Sequence, residues 1–225
     1  MSPGAGRALL LDYGGVLTTP IQVALAAFFV ETGVGPERFR DVVAEAYERG
    51  AATGDALSGW QASGAVAALE TGRMPLVDFE DWLAAELSEG LATPLAPEGL
   101  AARLFGALQP DREMFGAVRA ARRQGVATAV VSNTWGVPPI IADREDLFDA
   151  MVLSHEVGCR KPEPAIYRLA AARLGVAPEA CVFVDDLPVN VEGAEAVGMA
   201  GVLHRAASIT LARLEDRLGV SLGRP

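Results

Sequence analysis

The chain has 225 residues, is 51% hydrophobic and 21% charged, and carries a formal net charge of −10. Such a composition describes a folded protein of one domain, or one domain carrying an insert, and excludes a disordered chain. The acidic balance argues against nucleic acid or an anionic membrane as partner, because phosphate surfaces demand clustered cations. No apolar run approaches the roughly 20 residues that span a bilayer. Met1 to Arg7 lacks a basic stretch leading into a long apolar run, so no signal peptide is expected and a cytoplasmic setting is. Cys159 and Cys181 have neither metal nor redox spacing and read as inert thiols. With only His155 and His204, a histidine-rich metal site is excluded.

The first element is Ala8-Leu9-Leu10-Leu11, an apolar run without alternation, which reads as a buried parallel strand. It delivers Asp12 to its C-terminal tip, where open α/β sheets bind ligands. Gly14 and Gly15 follow at once and permit a tight turn.

From Pro20 to about Leu108 the pattern is helical. Pro20 to Thr32 and Pro36 to Arg49 both open on proline, a favoured first helical residue, and glycine follows each. Gly59 to Thr71, Leu76 to Ser88 and Pro97 to Leu108 continue the series. Phe79, Leu83 and Leu87 share one face, and Phe79, Trp60 and Trp82 are expected in the core of this block. A helical block placed straight after a first strand reads as an insert outside the sheet's own winding.

After Asp111 strands and helices alternate. Helices are expected over Arg112 to Gln124, Pro162 to Leu174, Pro188 to Val197 and Ile209 to Leu218. Strands are expected over Val126 to Val131, Ala150 to Leu153, Cys181 to Val184 and Ala200 to His204. Ile140 to Phe148 reads as helical or irregular, and Gly219 to Pro225 as a frayed tail. The alternation predicts an α/β fold, a Rossmann-like parallel sheet with helices on both faces. The expected domains are a core of residues 1–19 and 109–225 and an all-helical cap of residues 20–108.

Three stretches of this second part carry polar groups fit for chemistry. The strand at Val131 runs into Ser132-Asn133, a hydroxyl and an amide that either hold phosphate oxygens or cap the next turn. The strand at Val184 runs into Asp185-Asp186. Adjacent carboxylates there serve a hard cation such as Mg²⁺ or simply favour a helix N-terminus. Between them, in a loop ahead of a proline, lies Lys161. It is the only lysine among 19 basic residues, the others being arginine. A compact ammonium fits among carboxylates where a planar guanidinium does not, so the one surviving lysine marks either a tight site or chance.

In order, strand-Asp12, helical insert, strand-Ser132-Asn133, Lys161-Pro162 and strand-Asp185-Asp186 resemble the haloacid dehalogenase-like hydrolase superfamily over nearly the whole chain. The stretch Asp185-Asp186-Leu187-Pro188-Val189-Asn190-Val191-Glu192-Gly193-Ala194 is most similar to its phosphatase branch. The acid pair counts against a metal-independent 2-haloacid dehalogenase. The resemblance implies Mg²⁺-dependent hydrolysis of a small phosphorylated metabolite. Asp12 is then the nucleophile that forms an aspartyl-phosphate, and Lys161 bridges it to the phosphate. Ser132 and Asn133 hold phosphoryl oxygens, and Mg²⁺ binds Asp12, the carbonyl of Gly14 and Asp186, with Asp185 acting through water or from behind. Phosphatases of this kind usually carry a second Asp two residues after the nucleophile as general acid, and Gly14 stands there instead. That departure leaves open a non-catalytic relative that binds a phosphorylated ligand or a partner. Substrate choice is expected from the cap, near Gly50 to Trp60 or Thr71 to Met74, and the protein is expected as a monomer or homodimer.

Overall fold

A computed structural model describes residues 7–48, 64–135 and 145–223. The chain divides into two compact units, Met1–Thr19 with Gln109–Pro225, and Pro20–Leu108. No helix among the described residues is long and apolar enough to cross a membrane.

The first unit is built on a five-stranded sheet: β1 (Ala8–Leu11), β2 (Ala127–Ser132), β3 (Ala150–Leu153), β4 (Cys181–Asp185) and β5 (Ala200–Leu203). The strands run parallel in the order β3-β2-β1-β4-β5. β1 is central, with Ala8 opposite both Ala127 and Cys181. Side chains of a strand alternate between faces, and here both faces are covered. Leu9, Leu11, Val130, Val182 and Val184 pack into one buried cluster with Met114, Phe115, Val118, Leu211 and Leu214. Ala8, Leu10, Ala129, Val131 and Phe183 pack into the other with Ile166, Tyr167, Ala170 and Ala194. A strand buried on both sides cannot alternate apolar with polar, which is why β1 reads as an unbroken apolar run.

Helices of the sheet unit flank these clusters. They are α6 (Arg112–Arg123), α7 (Ser154–Val157), α8 (Pro164–Arg173), α9 (Pro188–Glu195) and α10 (Ala207–Leu218). Asp111 caps α6 by accepting the Met114 N–H at 2.9 Å, and Arg122 and Arg123 sit in its last turn, where cations suit the dipole. The sequence places α8 too early, at Pro162. The Glu163 N–H instead bonds the Arg160 carbonyl at 2.8 Å, so a turn intervenes and the helix starts at Pro164. β2 extends one residue further than expected, which makes Ser132 the last rung of the ladder, opposite Leu153. The single turn α7 has no counterpart in the sequence reading.

The second unit holds α1 (Ile21–Thr32), α2 (Pro36–Glu48), α3 (Ala65–Glu70), α4 (Leu76–Ser88) and α5 (Leu100–Phe105). Phe28, Phe29 and Phe39 meet edge to face between α1 and α2. Phe79, Leu83 and Leu87 of α4 are fully buried, and Trp82 packs 5.4 Å from Phe79 between ring centres. Trp60 and Gly50 lie outside the described residues, as do residues 59–63 of the expected Gly59 to Thr71 helix, whose described part forms α3. α5 starts later than its expected Pro97, because Gly99 sits just ahead of it with a φ of +71° that does not continue a helix. Buried Glu80 reaches its open end, accepting the N–H groups of Gly99 at 3.2 Å and Ala101 at 2.9 Å. Arg38 closes the other end of α4, donating to the Glu86 carbonyl and pairing with Glu89 at 2.6 Å.

Candidate active site

The C-terminal ends of β1, β2 and β4 bring together residues that lie far apart in the chain. Asp12 follows β1 directly, and its N–H bonds the Val184 carbonyl at 2.9 Å, so the ladder with β4 continues one step past the strand. Tyr13 donates its own N–H to Asp12 Oδ1 at 2.7 Å, and a turn then closes with the Leu17 N–H on the Tyr13 carbonyl. Thr18 locks this turn, accepting the Gly15 N–H at 3.0 Å and donating to the Thr19 carbonyl at 2.9 Å.

Lys161 is the hub. Its ammonium lies 2.7 Å from Asp12 Oδ1 and 2.7 Å from Asp185 Oδ2, and the residue is 2% exposed. The Phe183 ring lies below it, 5.7 Å from Nζ to the centroid. An ammonium has three N–H donors, so two carboxylates leave one for an incoming oxygen. Burial disfavours the Lys161 ammonium, but the charges of Asp12 and Asp185 outweigh it and hold the amine protonated beyond its ordinary range.

The adjacent acids of β4 have different surroundings. Asp185 is wholly buried and fully engaged. Its Oδ1 accepts the Leu187 N–H at 2.9 Å and the Asn190 amide at 3.0 Å, while Oδ2 accepts the same amide at 3.1 Å beside Lys161. Asp186 is partly exposed and lies over Gly15: a Cβ added to that glycine would stand 2.6 Å from Asp186 Oδ2. Gly15 also has a φ of +77°, so this position demands glycine twice over. Oxygens of Asp12, Asp185 and Asp186 lie within 4.8 Å of one another, a hard donor set suited to a divalent cation. Burial pushes the Asp12 carboxyl up to about 7 against the opposing pull of Lys161. Burial, reinforced by the neighbouring charge of Asp185, also raises Asp186. Both shifts reflect negative charge crowded into a dry space.

Ser132 is buried at the end of β2, with its hydroxyl 3.4 Å from the Asn133 carbonyl oxygen. The Asn133 side chain is committed to the Lys161 main chain. Its Nδ2 donates to the Lys161 carbonyl at 3.0 Å, and its Oδ1 accepts the Lys161 N–H at 2.8 Å. The sequence reading saw no such clamp, since nothing local to Asn133 announces a partner in another loop. It also missed Asn190 and Tyr167. Tyr167 donates its hydroxyl to the Asn190 carbonyl at 2.7 Å and meets Phe183 edge to face at 5.2 Å. Asn190 lay one helical turn past the acid pair, a spacing that could have revealed it; Tyr167 gave no local signal.

The family model for haloacid dehalogenase-like hydrolases matches residues 7–198. The bifunctional epoxide hydrolase 2 of Rattus norvegicus is 31% identical over 117 residues, covering 48% of this chain and 21% of that protein. A phosphatase of Mycobacterium tuberculosis is 32% identical over 134 residues, covering 57% of this chain and 61% of that one. The chain therefore spans less than two thirds of the length of these relatives. Among solved structures, a family enzyme of Bacteroides thetaiotaomicron in complex with magnesium and inorganic phosphate superposes with a TM-score of 0.61. It is 20% identical, with 89% of this chain and 95% of that one covered. The chain belongs to the haloacid dehalogenase-like hydrolases.

Proposed function

From that membership, we propose that the chain is a Mg²⁺-dependent phosphomonoesterase acting on a small phosphorylated metabolite. The observation that carries the reading is Lys161, an ammonium shared by Asp12 and Asp185 at 2.7 Å each beside a third carboxylate. A site for binding alone needs no buried nucleophile held by a cation. A relative named as a phosphatase supports the same branch.

In this mechanism Asp12 attacks phosphorus in line. Both bonds to its carboxylate land on Oδ1, which leaves the lone pairs of Oδ2 for the new P–O bond. The ester P–O bond breaks, and its electron pair leaves with the alcohol oxygen, which takes a proton from solvent water. A water molecule then attacks phosphorus and gives up a proton to solvent, the P–Oδ2 bond breaks with its electron pair returning to the Asp12 carboxylate, and inorganic phosphate leaves. The third N–H of Lys161, the hydroxyl of Ser132 and the main-chain N–H groups of Gly14 and Asn133 bind phosphoryl oxygens. The Asn133 side chain holds Lys161 in place. Asp12, Asp186 and the Gly14 carbonyl would hold Mg²⁺, with Asp185 behind them, its oxygens committed to protein donors. When bound, the ion neutralises phosphoryl charge and orients the ester. The helical unit, residues 20–108, serves as the substrate-selecting cap.

The test is turnover of p-nitrophenyl phosphate with and without Mg²⁺, run beside halide release from a 2-haloacid. Phosphate release that requires the metal, with no halide release, is the expected result. Halide release without phosphate release would make the protein a dehalogenase. Gly14, which supplies no proton to the leaving oxygen, favours a second reading, a relative that binds phosphorylated ligands without turnover. Saturable binding of inorganic phosphate with no turnover of any ester in a broad panel would establish that one.

A further inference from the structure

The Asp185 carboxyl group is fully buried and touches no solvent. Such a group is tolerated only when its lone pairs are met, and the direction of each donor then fixes the carboxylate plane. Leu187 and Lys161 meet one oxygen each, whereas the Asn190 amide lies 3.0 Å from Oδ1 and 3.1 Å from Oδ2. It straddles the carboxylate and sets its rotation. That rotation decides where Oδ2 stands, and Oδ2 is what draws Lys161 to one side while Asp12 draws it to the other.

Asn190 is in turn braced. It is itself buried, and its carbonyl accepts the Tyr167 hydroxyl at 2.7 Å. The approach is close throughout. A Cβ on Gly193, one turn along α9, would meet the Pro162 carbonyl oxygen at 2.8 Å and the Tyr167 hydroxyl at 3.0 Å. α9 is therefore seated directly on the residue after Lys161 and on Tyr167, with no side chain between.

We infer that Asn190, braced by Tyr167, is a positioning residue that fixes the Asp185 carboxylate and through it the placement of Lys161 between two acids. Its kinetic consequence rests on the phosphatase reading, whereas its effect on Lys161 does not. Without the amide, Asp185 turns, Lys161 shifts toward Asp12, and the spare N–H loses its aim at the incoming phosphoryl group.

The chain provides its own reporter, because lysine labelled with ¹³C at Cε or ¹⁵N at Nζ enters at one position only. Wild-type protein should give one set of side-chain signals, with ammonium protons that exchange slowly with water. Asn190→Leu keeps the volume and removes the donor; it should shift the Lys161 signal and speed that exchange. Its kcat on p-nitrophenyl phosphate should fall at least about tenfold while KM stays within about twofold. Tyr167→Phe, which removes one hydroxyl, should move the same signal in the same direction by less. A Lys161 signal unchanged in folded Asn190→Leu overturns the proposal. If Asn190→Leu does not fold, an unchanged signal in Tyr167→Phe overturns it. If wild-type protein shows no phosphatase activity, the phosphatase reading fails and the lysine signal alone decides this one.

Discussion

Glu80 in the helical unit and Asp185 in the sheet unit are both buried carboxylates that accept main-chain N–H groups. Glu80 lies across the start of α5, where exposed N–H donors and the positive end of the helix dipole satisfy it. Asp185 lies beside an ammonium, an amide and two further acids. The first arrangement is complete in itself. The second gathers three acids around one ammonium, whose third N–H is directed to neither of the two carboxylates it pairs with. Burial of an acid is thus no mark of chemistry; its neighbours are.

The sharpest way to break this contrast is at Asp12. Asp12→Asn should lower kcat/KM for p-nitrophenyl phosphate at least about 10³-fold, since an amide forms no acyl-phosphate while its size barely changes. Substantial residual activity in purified protein would remove Asp12 from the nucleophile role. Next comes Lys161→Arg, with an expected loss of at least about tenfold in kcat/KM. A planar fork cannot take up a point charge's place between two carboxylates 2.7 Å away. Near-wild-type kinetics would show the lone lysine to be an accident of composition.

The third effect is on stability. In the folded chain Asp12 is raised from its ordinary 3.8 to about 7. The folded state then holds this proton more tightly than the unfolded one, so stability falls as pH rises between those values. In buffer freed of metal by a chelator, the urea midpoint of wild type should drop between pH 4 and 7 relative to Asp12→Asn. Parallel midpoints across that range would refute the assignment. The smallest effect belongs to the other region. Glu80→Ala should cost about 1–2 kcal/mol through the lost cap of α5, read by urea unfolding, and leave kcat unchanged. A fall in kcat comparable to that of Lys161→Arg would erase the distinction between the two buried acids.

Much of this site was legible because parallel strands buried on both faces write themselves as apolar runs, and the first polar residue past each run sits at the ligand edge. Asp12, Ser132 and Asp185 were found that way. Lys161 stood out only because every other basic residue is arginine. The partners of the amides were not legible. Asn133 was read as a phosphate contact or a cap, and its side-chain bonds to the Lys161 main chain in another loop were not foreseen; Asn190 and Tyr167 meet through packing of α8 on α9. Contacts of this kind depend on how elements stack, and stacking leaves no periodic trace in either partner. The cap of α5 by Glu80 was hidden for the same reason, and the later starts of α5 and α8 followed from turns that proline positions alone do not fix.

β1 sits at the centre of the sheet, and its two neighbours begin at Ala127 and Cys181. During synthesis Ala-Leu-Leu-Leu emerges with both edges unpaired, and Pro20 to Leu108, a contiguous compact unit, is completed before either partner strand exists. The sheet unit cannot close until β4 leaves the ribosome. Pairing across such separations is slow, because loop closure is costly before any contact rewards it. Until then the chain carries an apolar strand open to intermolecular pairing. The same central position that puts Asp12 between two strand ends makes β1 the strand that waits longest for both of its neighbours.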